Sequence, residues 1–530
     1  MPKYLFILLN EAHAVDYSGE WIGVGYISAY LKKSQIADVD FIVTAKDNIE
    51  NILLKCRGFS PDFIGIPTLA FNYFDVKSLV SCIKKEFPTI HIMLGHREAT
   101  KLKRKILEEI EADSCVIGEG EVTAAEVVYA VSNHIELGAV KGICYRDKDG
   151  TIIQTEMRPQ LAVLDQLPFP DRDIFKKGKY SNHVHYVIST RGCKGNCSFC
   201  DIATDVGRKK AVYSRSMENI LDEIQEILQK RNLSFIAFGD DSFEDGNTTR
   251  NMRYKELYEG ILTRKLNFNF SFNSRAESIK EDAIPYLLKL KSVGLDRIFI
   301  GIDSGNEEDL RLYKKRATLA DNEKAITLLR EAEIPFDYGF IMFNPYTTIE
   351  KLMRNIDFIE KNEIDVKSHI LAHRFVLYTG APMLSNIKKD GLIIENKFSD
   401  KDPFCYHFLN PSIEGIWHVL HPLRDWPVNR DTISMVEGFL HSLIREQTIS
   451  SVVDFKRKYD AYTKLSRSVF IRIFRYTIDT ILAGETLSSD MIKDTFKDEL
   501  DKVERLWAST YTANIKHGIL KERLKLKNSS

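Results

Sequence analysis

From residue 3 to about residue 390, short uninterrupted apolar runs alternate with longer amphipathic stretches, and no other pattern in the chain restricts the fold as much. In the first part, KYLFILLN (3–10), DVDFIVTA (38–45), DFIGIPTL (62–69), HIMLG (91–95) and SCVIG (114–118) read as strands buried on both faces. A strand with one wet face would instead alternate apolar with polar residues. Residues 22–33, 75–86 and 101–111 carry helical periodicity between them. This alternation argues for a doubly wound parallel sheet, whose ligands bind beyond the C-terminal ends of the strands. Those ends lead here into residues 11–25, 67–73, 95–100 and 118–122.

Residues 142–155 (GICYRDKDGTIIQT) hold Asp-Gly between two β-rich arms and read as a hairpin. The proline-bearing LDQLPFPDRDIF (164–175) reads as an extended connection. The alternation then resumes with longer units. Candidate strands start at residues 183, 234, 268, 296, 336 and 369, with helical stretches at 216–231, 251–264, 280–293, 319–332 and 348–362. Six strand–helix units fit a partial (β/α)6 barrel with its site at the strand C-terminal ends. Beyond 400 strand signals fade, and 430–530 reads as mostly helical. The expected α/β organisation is a sheet domain at 1–160, a linker at 161–182, a barrel at 183–395 and a helical region at 396–530.

Composition narrows the function. Lys plus Arg number 74 against 75 Asp plus Glu, so no basic excess points to a nucleic-acid partner. No apolar run approaches the 18 residues of a membrane span, and the expectation is a soluble cytoplasmic protein. The 8 cysteines are too sparse for a disulfide scaffold. Three of them, Cys193, Cys197 and Cys200, fall in STRGCKGNCSFCDIA with the spacing C-x3-C-x2-C. At this cysteine frequency the chance expectation of that spacing is about 0.002 per chain. Zinc normally takes four ligands, and the nearest extra candidates, His183 and His185, lie inside the preceding strand. An iron–sulfur cluster also normally takes four thiolates. Three would leave one iron open to a bound ligand, where electron transfer and Lewis-acid chemistry become available.

C-x3-C-x2-C directly after the first strand of a βα barrel resembles the signature of radical S-adenosylmethionine (SAM) enzymes. The resemblance implies that Cys193, Cys197 and Cys200 hold a [4Fe–4S] cluster whose open iron is chelated by SAM, which one electron cleaves to a 5′-deoxyadenosyl radical. Phe199 stands between the last two cysteines, where the family commonly has an aromatic. Asp240 and Asp241 (FGDDSF) end the second strand, where members bind the SAM amino group, and Arg275 (SFNSR) ends the third, where a basic group meets the SAM carboxylate. IGIDSGNEEDL resembles the G-I-E-S-G segment after strand four. There Asp303 replaces the usual Glu, one methylene shorter in reach, and Ser304 follows. Asn344 stands where the fifth-strand segment would carry glycine, and LYTGAPM (377–383) resembles the sixth-strand P-G-T-P.

The first domain resembles the cobalamin-binding domain that precedes many radical SAM barrels, through GVGYISAYL (23–31), PDFIGIP (61–67), LGHREAT (94–100), GEGE (118–121) and LPFPDR (167–172). Pro67, Thr68, Gly95, His96, Gly118 and Glu119 are the implied cobalamin contacts. His13 is the candidate axial ligand, although Glu11 and Asp16 depart from the D-x-H-x-x-G pattern. The implied activity is cobalamin-dependent methyl transfer to an unactivated carbon of a small metabolite, natural-product intermediate or peptide. A flavodoxin or ferredoxin type of one-electron donor is the implied partner. Epimerisation with Cys405 as hydrogen donor, cyclisation as in anaerobic porphyrin ring cyclases, and a non-catalytic sensor stand as alternatives.

Overall fold

The structure is a computed structural model describing residues 1–10, 21–45, 48–69, 72–173, 184–200, 202, 212–230, 235–246, 248–365, 372–378, 380–394, 406–423 and 449–516. Its first sheet has seven strands: β1 (Lys3–Asn10), β2 (Asp38–Ala45), β3 (Phe63–Pro67), β4 (His91–Gly95), β5 (Ser114–Val116), β6 (Ile143–Arg146) and β7 (Ile152–Gln154), in the order β2-β1-β3-β4-β5-β6-β7. β1 to β5 run parallel, while β6 and β7 form the hairpin and join antiparallel beside β5. β1 shows why its run had to be apolar throughout. Leu5, Ile7 and Leu9 enter the core on one face, and Tyr4, Phe6 and Leu8 enter the core on the other. With both faces covered by helices, a polar residue on either face would be buried without a partner. The chain leaves β1 in opposite directions towards β2 and β3, which places a topological switch point between β1 and β3.

The linker is docked on the sheet domain. Asp171 accepts hydrogen bonds from Ser28 Oγ at 2.7 Å and Lys32 Nζ at 2.6 Å, and its N–H donates to Gly25 O at 2.9 Å. A Cβ on Gly25 would stand 2.9 Å from the Asp171 carbonyl oxygen, so only glycine lets the linker lie on that helix.

The second sheet contains β8 (His185–Val187), β11 (Phe235–Phe238), β12 (Asn269–Arg275), β13 (Leu295–Asp303) and β14 (Phe336–Phe340), all parallel and adjacent in chain order. Between β8 and β11, β9 (Thr190–Arg191) and β10 (Tyr213–Ser214) form a short antiparallel ribbon. The expected continuous strand from residue 183 to 191 is therefore broken. Its ladder stops at Val187 because the N–H groups of Ser189 and Thr190 turn to the carboxylate of Asp240. The sixth strand is also reduced: among the described residues it is a single parallel bridge, Phe343 to Arg374. Arg374 there lies over the rings of Tyr406, Phe408 and Trp417, so the edge of the partial barrel is covered by the segment that follows.

Among the described residues of the C-terminal region, the α-helices are Pro411–Leu420, Ile449–Leu482, Ser489–Thr495 and Lys497–Lys516. Its apolar side chains share one core with the barrel: Phe474 sits 6.1 Å from Phe343, ring centre to ring centre, and Arg475 pairs with Asp357 and Glu360. No helix among the described residues is long and apolar enough to cross a membrane. Phe474→Ala, which empties a wholly buried site, is expected to cost about 3–5 kcal/mol. It should lower the thermal unfolding midpoint of the barrel as well as that of the C-terminal helices, read by calorimetry.

Candidate active site

The cysteine loop leaves the barrel at the C-terminal end of β8, and a single acidic run holds it. In GDDSFED, three carboxylates capture successive N–H groups of the loop. Asp240 Oδ1 accepts from Ser189 at 2.6 Å and Thr190 at 2.7 Å, Asp241 Oδ2 from Gly192 at 3.2 Å, and Asp245 Oδ2 from Lys194 at 2.7 Å. Gly192 has φ +95°, the left-handed region where glycine bears no Cβ penalty. On the far side, Ser198 N–H donates to Tyr313 O at 2.8 Å and Ser198 Oγ to Leu312 O at 2.7 Å. Phe199 packs edge-on against the Tyr313 ring at 5.3 Å.

Each strap has its own counter-charge. Asp240 is wholly buried, and burial raises its pKa against the opposing pull of Arg253, which donates to Ser189 Oγ at 2.5 Å. Both Asp240 oxygens serve the loop, so this residue acts as a strut, whereas Asp241 faces an adjoining cavity. Asp245 binds Arg275 through both oxygens, and Arg275 also donates to Ser242 Oγ and Glu277 at 2.9 Å each. Arg275 Nη1 lies 3.8 Å from Cys193 Sγ, and the Gly195 N–H points at the same sulfur from 3.3 Å.

The three thiols are half-buried. Burial pushes Cys193 up to about 11 against the pull of the Gly195 N–H and Arg275, and Cys197 up to about 12 against that of Lys315. Bare, these two are neutral thiols; a bound metal would deprotonate them. A Cβ on Gly195 would lie 3.2 Å from Cys193 Sγ and 3.8 Å from Cys197 Sγ, so the small residue lets the loop fold over both sulfurs. Among the described residues no three His, Cys, Asp or Glu side chains converge on one point as a single ion requires. Three spread thiols with N–H donors aimed at one sulfur fit a polynuclear cluster, in which each thiolate meets its own iron.

Asp303 closes the site on the β13 side. The β13–β14 register slips between Gly301 and Asp303, and Asp303 takes φ +61°, rare for a residue with a side chain. Its Oδ2 pairs with Lys315 Nζ at 2.6 Å, and Lys315 also donates to Gly301 O at 3.2 Å, in space that a Cβ on Gly301 would crowd. Ser304 is fully buried in a separate network, donating to Asn355 Oδ1 at 3.0 Å, and so supports the loop rather than lining the site. Asn344 is equally buried, with Nδ2 donating to Tyr313 Oη at 2.9 Å.

A cavity of about 740 Å³ lies between the two domains. Its rim includes Pro67 at the end of β3, Gly95 at the end of β4 with His96 next to it, and Gly118 and Glu119 after β5. Its inner part runs over Tyr4, Phe6, Gly65 and Met93 on the sheet face, and Thr190, Arg191, Gly239 and Asp241 of the barrel form its opposite wall. Thr68 lies beneath the rim, wholly buried, where its N–H bonds Gly95 O at 2.9 Å. His96 takes φ +74° and meets Trp21 edge-on at 6.2 Å. Arg191, two residues before the first cysteine, crosses to the sheet domain. It pairs with Glu119 at 3.1 Å and Glu121 at 2.5 Å and lies over the Tyr26 ring. The cavity is thus a joint property of both domains. His13 and Cys405 lie outside the described residues.

Three contributors escaped the sequence reading. Asp245 was visible in the same acidic run, and Arg191 in the residues before Cys193, whereas Lys315 of LYKKRAT had no signal beyond its charge. All three act through partners distant in sequence.

Residues 187–359 match the family model for the radical SAM superfamily, and residues 12–128 match that for the B12 binding domain. The chain is 24% identical over 364 residues to "Uncharacterized methyltransferase PH0819" of Pyrococcus horikoshii, covering 68% of this chain and 77% of that one. It is 25% identical over 364 residues to an anaerobic magnesium-protoporphyrin IX monomethyl ester cyclase of Rubrivivax gelatinosus, covering 66% of this chain and 64% of the cyclase, just under two thirds of that protein's length. Its fold matches the solved structure of the cobalamin-dependent S-adenosylmethionine radical enzyme OxsB with aqua-cobalamin and S-adenosylmethionine bound. The TM-score is 0.72 at 19% identity, over 100% of this chain and 81% of that one. With the cysteine loop at the end of the first barrel strand and the sheet domain packed against it, the chain is a radical SAM superfamily enzyme with an N-terminal B12-binding domain.

Proposed function

We propose that the protein is a cobalamin-dependent radical SAM methyltransferase acting on a carbon of a small molecule or peptide. The observation that carries this reading is the shared cavity, whose rim is made by the strand ends of the B12-binding domain and whose far wall, Thr190, Arg191, Gly239 and Asp241, flanks the cysteine loop. When bound, the cluster with SAM supplies a 5′-deoxyadenosyl radical, and the cobalamin supplies a methyl group.

The residues of the chain bind and position. Cys193, Cys197 and Cys200 hold the cluster, with the Gly195 N–H and Arg275 offsetting charge on the Cys193 sulfur. The acidic straps keep the loop in one geometry before any ligand arrives, which reduces the ordering cost at each turnover. Asp241 lies on the cavity side of the loop and Asp303 on the β13 side, where they serve SAM. Phe199 packs beside the cluster, and Pro67, Gly95, His96, Gly118 and Glu119 line the corrin side. Arg191 holds the two domains at the spacing that brings both reagents to one substrate carbon. The electron comes from an external one-electron donor, and an oxygen-poor, reducing cytoplasm is the compartment that such a cluster needs.

The similarity to a ring cyclase supports a second reading, in which the same radical forms a carbon–carbon bond without methyl transfer. Product analysis separates them: a methyltransferase forms S-adenosylhomocysteine together with 5′-deoxyadenosine and adds one methyl to its substrate, whereas a cyclase does neither of the first and last. A reconstituted protein that binds no cobalamin would sink the methyltransferase reading.

Cys193→Ala is expected to lose most of its iron on anaerobic reconstitution and at least 100-fold in 5′-deoxyadenosine formation. Retained cluster absorbance and SAM cleavage would refute the ligand assignment. Arg191→Met leaves Glu119 and Glu121 without their cation. It is expected to weaken cobalamin binding at least tenfold in equilibrium titration, at unchanged iron content, because a buried ion pair stripped of one partner costs several kcal/mol.

A further inference from the structure

A second concavity lies on the other side of the cysteine loop. It is a groove of about 320 Å³ that shares no lining residue with the interdomain cavity. Thr190 and Arg191 line the cavity, and Lys194, immediately after the first cysteine, lines the groove. Five cations line it, Lys194, Arg250, Arg275, Lys280 and Arg316, against three carboxylates, Glu244, Asp245 and Glu277. Lys194, Lys280 and Arg316 are exposed and form no ion pair among the described residues, while Arg250 pairs with Asp282 at 2.5 Å. The carboxylates of the groove do not balance them. Asp245 and Glu277 are turned onto Arg275, and Glu244 is almost wholly buried, accepting from the Arg275 N–H at 3.0 Å. Glu281, next to Lys280, pairs outward with Lys324 at 2.6 Å. The groove therefore presents a net positive surface to solvent.

Its floor reaches the cysteines. Arg275 lines the groove and places Nη1 3.8 Å from Cys193 Sγ, so one side chain separates the groove from the first thiol. The cavity assigned above to substrate and cobalamin shares no lining residue with the groove. A positive surface this close to a redox centre, and clear of the substrate cavity, suits an electron-transfer encounter, which is small, electrostatically steered and short-lived.

We propose that this groove seats a one-electron donor protein whose redox centre is ringed by carboxylates, of the flavodoxin class. The proposal rests on the reading of Cys193, Cys197 and Cys200 as cluster ligands. In the step itself, reduced flavin gives up one electron and the cluster gains it, with no bond made or broken until SAM is cleaved.

The test compares the full-length reconstituted enzyme with Lys280→Glu/Arg316→Glu, which leaves the cysteine loop untouched. SAM cleavage is driven either by an acidic flavodoxin in its hydroquinone form or by dithionite. At ionic strength of about 20 mM, where surface charges are weakly screened, the variant is expected to need at least ten times more flavodoxin for half-saturation and to show a flatter salt dependence. Its dithionite-driven rate should stay within twofold of wild type. Lys194→Glu should shift the flavodoxin requirement in the same direction. Flavodoxin half-saturation within twofold of wild type, with the same salt slope, overturns the proposal. Equal loss in the dithionite arm also overturns it, since the charges would then serve the site and not the donor. Failure of wild-type enzyme to cleave SAM with dithionite refutes the cluster reading itself, and is told apart because it appears before any variant is made.

Discussion

The site depends first on a set of backbone hydrogen bonds to buried carboxylates. The loop with three cysteines in eight residues and the short segment leading into it have little to pack, so without outside partners their N–H groups would favour water and many conformations. Asp240, Asp241 and Asp245 take four of those N–H groups, and charge-assisted bonds of this kind are about twice as strong as neutral ones. Setting three carboxylates side by side, Asp240 and Asp245 buried and Asp241 half-buried, is costly unless each finds a cation or the open edge of a cavity. Arg253 and Arg275 answer Asp240 and Asp245, and Asp241 keeps its place at the cavity wall. Much of the polar architecture around the loop, including the Arg253 stacking over Phe243, follows from that requirement.

The same arrangement divides the surroundings of the loop. On one side Arg191 reaches over to Glu119 and Glu121 and ties the two domains together at the interdomain cavity. On the other, Lys194 and its neighbours leave a basic groove in solvent. The proposed donor surface and the proposed substrate cavity thereby have separate approaches. The C-terminal helices complete the barrel instead of forming a core of their own, since Phe474 fills space against Phe343 at the barrel edge where the sixth strand is reduced to one bridge.

Much of the fold was legible because its signal is local. The doubly apolar run of β1 needs helices on both faces, Asp-Gly in 142–155 needs a hairpin, and both appear where expected. The shortened first barrel strand was not legible, because it ends where Asp240, about 50 residues onward, competes for its N–H groups. The roles of the site residues divide the same way. Cys193, Cys197 and Cys200 stand out by spacing alone. Asp240, Thr68 and Ser304 were read as ligand contacts from their positions at strand ends, yet the structure turns each towards the chain: Asp240 to the cysteine loop, Thr68 to β4 and Ser304 to Asn355. A residue at a strand end has two directions to face, and only packing chooses between them.

The amino-acid sequence by itself determined the two sheets, their order along the chain and the eight-residue cysteine loop, since apolar periodicity and cysteine spacing act within a few residues of one another. Tertiary structure alone decided which carboxylates hold that loop, which cation faces which acid, and that Arg191 of the barrel pairs with Glu119 and Glu121 of the sheet domain at the wall of a shared cavity. Those choices are electrostatic and link groups tens of residues apart. Their energies depend on burial and distance, which exist only after the chain has folded.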